Sequence, residues 1–266
     1  MEANSFSDPL YTMNPLTRFA GREQDYANYR PSYPKDAIAQ ILQSLILQSP
    51  NPDLTTCVAA DIGAGTGISS RLLAEHGLHV WAIEPNAAMR SAAPPHERIT
   101  FLARTAEDTG LEPNSVDLVT CFQAFHWFNP TTCLPEFRRI LKPTGILAVV
   151  WNNRDRSDPL TQEYSNIVQR LSKHHPAEQR MVAEAPLFQS SEFLPPEQYQ
   201  FSYSQPLDLP GLIGRARSVS YISHDEETQQ QLVTTLEALY HRFKDVQNQV
   251  FLAYTTEVFL LKPNRF

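Results

Sequence analysis

The stretch Cys57-Val58-Ala59-Ala60-Asp61-Ile62-Gly63-Ala64-Gly65-Thr66-Gly67, continuing into Ile68-Ser69-Ser70-Arg71-Leu72-Leu73, decides the fold. An apolar, β-prone run leads into a turn with glycine at every second position, and a helix-like segment follows over 68–76. Strand, glycine turn and helix together let backbone approach a ligand closely and aim helix amides at it. A dinucleotide fingerprint would need a further glycine at 68, where this chain has Ile68. A phosphate-cradling loop would need a lysine close behind the turn, and none is there. The turn therefore suits a nucleoside without a pyrophosphate.

Outward from that turn, strand and helix patterns alternate, which predicts parallel βαβ units. Strands are expected over 57–61, 79–84, 100–103, 116–121 and 146–151. Helices are expected near Asn86 and over 130–141, the latter closed by Lys142-Pro143-Thr144-Gly145. Before the turn, Pro34 opens a helix carrying Ile38, Ile41, Leu42, Leu45 and Ile46, and Ser49-Pro50-Asn51-Pro52-Asp53 ends it. After Asn152 the rhythm changes to helices at 159–173, 177–184, 210–221 and 225–244, with strands at 199–206 and 250–261. The expected architecture is a doubly wound, mostly parallel seven-stranded α/β sheet with an antiparallel C-terminal strand pair and a helical cap. Its parts are a flexible tail (1–17), an N-terminal lid segment and helix (18–55), a nucleoside-binding core (56–152), and cap insertions with the last strands (153–266).

Composition narrows the function. The 266 residues carry 22 Lys and Arg against 29 Asp and Glu, a net charge of −7 with no long basic run, which disfavours nucleic acid as a partner. Cys57, Cys121 and Cys133 form no CxxC pair and read as small buried hydrophobes in a reducing compartment. Residues 1–17 lack the pattern of a secretory leader, and no apolar run is long enough to span a bilayer. A cytoplasmic protein, monomer or homodimer, is the expectation. His174-His175 has no third ligand in view, so no metal is assigned.

Glu84 ends the second strand, where an ionised carboxylate accepts strong hydrogen bonds from both hydroxyls of a ribose. With that residue the pattern becomes specific. The set Asp61 to Gly67, then Glu84-Pro85-Asn86-Ala87-Ala88-Met89, then Lys142-Pro143-Thr144-Gly145-Ile146-Leu147 resembles the class I S-adenosylmethionine-dependent methyltransferases. Within them it is similar to the small-molecule type 11 branch that includes trans-aconitate methyltransferase-like proteins. Tyr26 to Pro34 and Phe125-His126-Trp127-Phe128 extend the likeness on both sides.

The resemblance implies S-adenosylmethionine as cofactor, S-adenosylhomocysteine as product and a small-molecule methyl acceptor, carboxylate or hydroxyl. It places Gly63, Ala64, Gly65 and Gly67 against the methionine part, with Asp61 orienting the turn, Glu84 on the ribose, and Pro85 and Met89 on the adenine. Thr105 stands where relatives often carry an acid, so the adenine edge falls to Thr105, Ala106 or Glu107. Phe122 and Gln123 border the methionine. Arg30 is the candidate partner of the cofactor carboxylate, by the two-point fit of a guanidinium, or else a surface arginine.

His126 follows the fourth strand, where its near-neutral pKa suits a general base, or where it only hydrogen-bonds cofactor or backbone. Tyr26, Tyr29 and Tyr33 either close over the site or pack the N-terminal helix. Tyr26, Tyr29, Trp127, Arg215, Ser218 and Tyr221 are the candidate acceptor-binding residues. The last three, or Arg217, Ser220 and Tyr221, would share one helical face, unless the arginines simply face water. Tyr254 and Glu257 are weaker candidates. The rivals are a nicotinamide oxidoreductase, a non-catalytic nucleoside-binding protein, and a methyltransferase acting on tRNA or protein.

Overall fold

Residues 145–152 are buried without interruption. Successive strand side chains point to opposite faces, so unbroken burial requires a layer on each side of the sheet. The computed structural model, which describes residues 10–12, 23–48, 53–173, 184–219 and 221–264, shows both layers. In chain order its elements are α1 (Glu23–Tyr29), α2 (Lys35–Gln48), β1 (Val58–Ile62), α3 (Ile68–Glu75), β2 (His79–Ile83), α4 (Ala87–Ala92), β3 (Ile99–Leu102) and β4 (Val116–Phe122). Then come α5 (Pro130–Ile140), β5 (Leu141–Arg154), α6 (Pro159–Leu171), α7 (Ala185–Gln189), β6 (Glu197–Leu207), α8 (Leu209–Arg217), α9 (Glu226–Phe243) and β7 (Val250–Leu261).

The sheet has seven strands in the order β3-β2-β1-β4-β5-β7-β6. β1 to β5 run parallel, and β7 enters antiparallel between β5 and β6. Strand order reverses between β1 and β4, which opens a crevice at their carboxyl ends. One face is covered by α5, whose Cys133, Leu134, Phe137 and Ile140 share a core with Val119, Cys121 and Val149. The other is covered by α2 and α3 through Ile38, Ile41, Leu42, Leu45 and Leu73, against Leu118, Ile146 and Val150. All three cysteines are buried and free.

A third core joins α6, α8 and α9 to the start of β7. Aspartates begin these three helices: Asp158, Asp208 and Asp225 accept from the amides of Thr161, Gly211 and Thr228 at 2.7, 2.8 and 2.8 Å. Each such cap contributes about 1 kcal/mol.

Two expectations are corrected. The helix ends at Ile140, just before Lys142-Pro143-Thr144-Gly145 as expected, but these residues already lie within β5, which starts at Leu141 and not at 146. Val116 pairs with Leu141 and Leu118 with Ile146, so the intervening residues bulge. The bulge brings Lys142 Nζ to 2.8 Å from Asp117, whose carboxylate also accepts from the Val58 amide at 3.0 Å. A Cβ on Gly145 would lie 2.7 Å from Leu141 Cδ2 and 3.0 Å from the Asp117 carbonyl, so the bulge needs glycine there.

Second, the helix expected over 210–221 ends at Arg217. Ser218 Oγ donates to the Arg215 carbonyl at 2.7 Å, the local competition that disfavours serine inside helices. Tyr221 therefore lies beyond the helix and does not share its face with Arg215. Leu10–Thr12 form a 3-10 turn that reaches the main cavity described below. The expected breaker 49–52, most of the helix 177–184, His174-His175, Ser220 and the basic segment 18–22 lie outside the described residues.

The segment 26–33 is fastened at several points. Asn152 Nδ2 donates to the Ser32 carbonyl and Gln205 Nε2 to the Tyr29 carbonyl, each at 2.9 Å. Arg30 lies over the Tyr26 ring at 4.6 Å, and its Nη2 donates to the Ser218 carbonyl at 3.0 Å. Tyr33 packs edge-on against Phe122 with ring centres 4.6 Å apart. Tyr29 lies directly on Gly214 of α8, where a Cβ would come within 2.1 Å of its Cδ2. Gly214→Ala is therefore expected to lower stability by about 1–3 kcal/mol through overpacking. Urea unfolding measures that loss, and hydrogen exchange should rise over 23–33 while the β1–β5 sheet stays protected.

Candidate active site

The crevice between β1 and β4 is built from Asp61 upward. This carboxylate is fully buried; its Oδ2 accepts from Ser69 Oγ and Ser70 Oγ at 2.6 Å each, and its Oδ1 from Thr120 Oγ1 at 2.9 Å. Burial pushes its pKa up, and the three hydroxyls pull the other way. The bonds tie the end of β1 to the first turn of α3 and to β4. The glycine turn between them hangs on β2, with the amides of Gly63 and Ala64 donating to the Ile83 carbonyl at 2.8 and 3.1 Å.

Gly63, Gly65 and Gly67 have φ of +70, +57 and +80°, the left-handed region that glycine adopts without penalty. Gly63 is also crowded: a Cβ there would meet Ala124 Cβ at 2.6 Å and Phe128 Cζ at 2.9 Å. A side chain at Gly65 would stand against Met89 Cε and Tyr26 Cε1, both at 3.4 Å.

Glu84 faces the turn. Its Oε2 accepts from the Gly65 amide at 2.9 Å and its Oε1 from the Asn86 amide at 2.8 Å. Burial raises its pKa above the ordinary carboxylate value, opposed by these amide bonds and by the charge of Arg90. Arg90 Nη1 donates to the Glu84 and Pro85 carbonyls at 2.7 and 2.8 Å and holds the loop in shape. A carboxylate has about four lone-pair sites. Two amides occupy one on each oxygen, leaving acceptor capacity toward the cavity.

Across the crevice, Gln123 takes φ +54°, unusual for a residue with a side chain. Its amide donates to the Val150 carbonyl and its Nε2 to the Asn152 carbonyl, both at 2.8 Å. These bonds fix the side chain, while its Oε1 is buried without a hydrogen-bond partner. A buried acceptor left open in this way marks the place of a missing donor.

Around these groups is a cavity of about 450 Å³, in the range typical of small-molecule sites. Of the residues singled out in the sequence, Gly63, Gly65, Glu84, Pro85, Met89, Thr105, Ala106, Glu107 and Gln123 line it, with Tyr26 and Trp127. Arg30, Ala64 and Phe122 line a much smaller adjoining space that shares Tyr26, Gly63 and Gln123. Asp61 is fully buried behind the turn, and Gly67 caps α3.

Comparison with known proteins agrees with this geometry. Residues 60–149 match the family described as Methyltransferase domain. An uncharacterized methyltransferase of Mycobacterium tuberculosis is 34% identical over 200 residues, covering 74% of each chain. A methyltransferase-like protein of Schizosaccharomyces pombe, also uncharacterized, is 31% identical over 254 residues, 92% of this chain and 94% of that one. The chain belongs to the methyltransferase family. A solved structure described as a type II methyltransferase, from Anaeromyxobacter dehalogenans, superposes with a TM-score of 0.64 at 25% identity, over 87% of this chain and 97% of that one.

Dependence on S-adenosylmethionine comes with the family. The methyltransferase's own residues fit that cofactor: an open acceptor at Gln123, a carboxylate with spare lone pairs at Glu84, and a turn where side chains would fill the space.

His126 lies beside the cavity, where its Nδ1 accepts from Trp151 Nε1 at 3.2 Å. Indole N–H only donates, so a neutral His126 carries its proton on Nε2, and its basic lone pair already faces Trp151. Tyr29, Arg215, Ser218 and Tyr221 do not line the cavity; Tyr29 packs on Gly214, and Arg215 and Ser218 are buried in the cap. Glu257 is engaged by Asn153 and by Gln200 of β6.

Asn86, Arg90, Tyr11, Thr12, Ala124 and Phe128 also belong to the site and its frame. Asn86 was visible as the N-cap of α4, accepting from the Ala88 amide at 2.9 Å. Tyr11 and Thr12 carry no local pattern that would have revealed them. Asp61→Ala should cost on the order of 3 kcal/mol in urea unfolding, since three buried hydroxyls lose their shared acceptor. Asp61→Asn, which keeps one carbonyl acceptor, should cost less.

Proposed function

We propose that the protein transfers the methyl group of S-adenosylmethionine to a small-molecule acceptor bearing a carboxylate or hydroxyl. The paired arrangement of Glu84 and Gln123 across the strand-order switch carries this reading. When bound, the cofactor supplies a methyl group already activated by its sulfonium. The protein's part is then to bind, orient and exclude water.

In this reading Glu84 accepts from the ribose hydroxyls, and Gln123 Oε1 accepts from the amino group of the methionine moiety. Gly63, Ala64, Gly65 and Gly67 let backbone close on that moiety, with Asp61 holding the turn and Phe122 alongside. Arg30 faces its carboxylate. Pro85 and Met89 flank the adenine, whose edge meets Thr105, Ala106 or Glu107. Tyr26, Trp127 and Phe128 keep water from the reacting centre. His126 contributes an N–H donor in the tautomer set by Trp151, and would act as a base only after that bond breaks.

The cavity of about 450 Å³ and the net charge of −7 favour a small acceptor over tRNA. The finer likeness to trans-aconitate methyltransferase-like proteins belongs to the same proposal, as does a soluble cytoplasmic setting. Among the described residues no helix is long and apolar enough to cross a membrane.

Calorimetry with S-adenosylhomocysteine tests the reading. Saturable one-to-one binding is expected, and no binding would contradict it. Glu84→Ala should weaken that binding about thirtyfold or more, the value of hydrogen bonds to a charged group. The ionised carboxylate is the better acceptor, and burial has raised its pKa above 4.5. Affinity should therefore fall as pH drops through that raised value, and Glu84→Gln should flatten the dependence.

A further inference from the structure

One polar side chain is buried where β5 is otherwise apolar. Asn152 is only 1% exposed and directly follows the run Ile146 to Trp151. An amide buried without partners is costly, and this one is engaged at both ends. Its Oδ1 accepts from Thr256 Oγ1 at 2.6 Å, directly across the β5–β7 pair, and its Nδ2 donates to the Ser32 carbonyl at 2.9 Å. Its own main-chain carbonyl accepts from Gln123 Nε2 at 2.8 Å.

A carbonyl oxygen only accepts, so these bonds decide which way each amide faces. The Asn152 carbonyl takes the NH₂ group of Gln123. Gln123 is thereby turned so that its Oε1, buried and without a partner, is the atom left open. In the same way the Ser32 carbonyl takes the NH₂ group of Asn152, and the Thr256 hydroxyl takes its oxygen. Thr256 is itself fully buried, so water does not compete for this bond.

Ser32 belongs to the short connection between α1 and α2 that also carries Arg30. Arg30 and Gln123 line one small space together with Gly63 and Ala64. A single residue of β5 therefore bears on two walls of that space. Its carbonyl orients Gln123 from the sheet, and its side-chain amide fastens the connection that carries Arg30. An apolar residue at this position would suit the burial of the strand but could not hold Ser32.

We propose that Asn152 is a positioning residue for the amino-acid end of the cofactor. Its side chain acts on binding through Ser32 and Arg30, and its carbonyl through Gln123. This rests on the methyltransferase reading above, which puts the cofactor's amino group at Gln123 and its carboxylate at Arg30.

Calorimetry on the full chain compares two ligands: S-adenosylhomocysteine, and methylthioadenosine, the same nucleoside thioether without the amino-acid end. Asn152→Ala should weaken S-adenosylhomocysteine about tenfold, the worth of one hydrogen bond, and leave methylthioadenosine within about twofold. Asn152→Asp keeps the acceptor for Thr256 and, when ionised, has nothing to donate to Ser32. Assayed above neutral pH, it should show the same selective loss. In an Arg30→Met background Asn152→Ala should weaken S-adenosylhomocysteine little further, because both changes remove one shared interaction.

Equal weakening of the two ligands would overturn the assignment. So would a lower melting temperature with both affinities unchanged, since Asn152 would then only brace the sheet. Full additivity with Arg30→Met, or wild-type protein that binds methylthioadenosine as tightly as S-adenosylhomocysteine, would overturn it as well. Wild-type protein that binds neither ligand would contradict the cofactor reading itself, and this proposal with it.

Discussion

One buried carboxylate holds the site's frame together. Asp61 gathers hydroxyls from Ser69, Ser70 and Thr120, and so binds the end of β1 to the start of α3 and to β4. Without that junction the glycine turn would be a loose connection of residues with maximal backbone freedom. With it, the amide of Gly65 points at Glu84 and the crevice keeps its width. Asp61 lies at no cavity wall; it acts by position. Burial raises its pKa, and the hydroxyls offset part of the cost of keeping a charge there.

The second constraint comes from the chain's beginning. Segment 26–33 lies between the sheet and the cap and is held by bonds to Asn152, Gln205 and Ser218. Its tyrosines divide the work: Tyr26 borders the cavity, Tyr29 packs on Gly214, and Tyr33 packs on Phe122. Arg30 touches both halves, with its guanidinium over Tyr26 and its donor on the Ser218 carbonyl. The Ser218 carbonyl thus joins the cap to the rim of the nucleoside cavity through one hydrogen bond.

Much of this was legible in the sequence because it rests on local chemistry. The alternation of apolar runs and amphipathic segments predicts β1 to β5 and α2 to α5 closely, since each element's pattern reports its own burial. The glycine turn and Glu84 are readable for the same reason: left-handed φ values and an acid at a strand end leave direct marks. The rest is written in contacts between distant residues. Lys142 to Gly145 look like a turn, and only the pairing with Asp117 shows that they are a bulge inside β5. Arg215 looks like a surface helix residue until α6, α9 and β7 close around it. Its partner Tyr254 lies on β7, and the Gln205 to which Tyr254 donates lies on β6, so the residues share no spacing.

In the proposed function this crevice holds S-adenosylmethionine so that its methyl group passes to a small acceptor. The most direct measurement follows a labelled methyl group. Purified protein is incubated with methyl-labelled S-adenosylmethionine and a mixture of small acidic metabolites, tRNA and cell protein, and the fractions are separated by mass and counted. Label in the small-molecule fraction, with S-adenosylhomocysteine formed in equal amount, is the predicted result. Label confined to tRNA or protein would contradict the account.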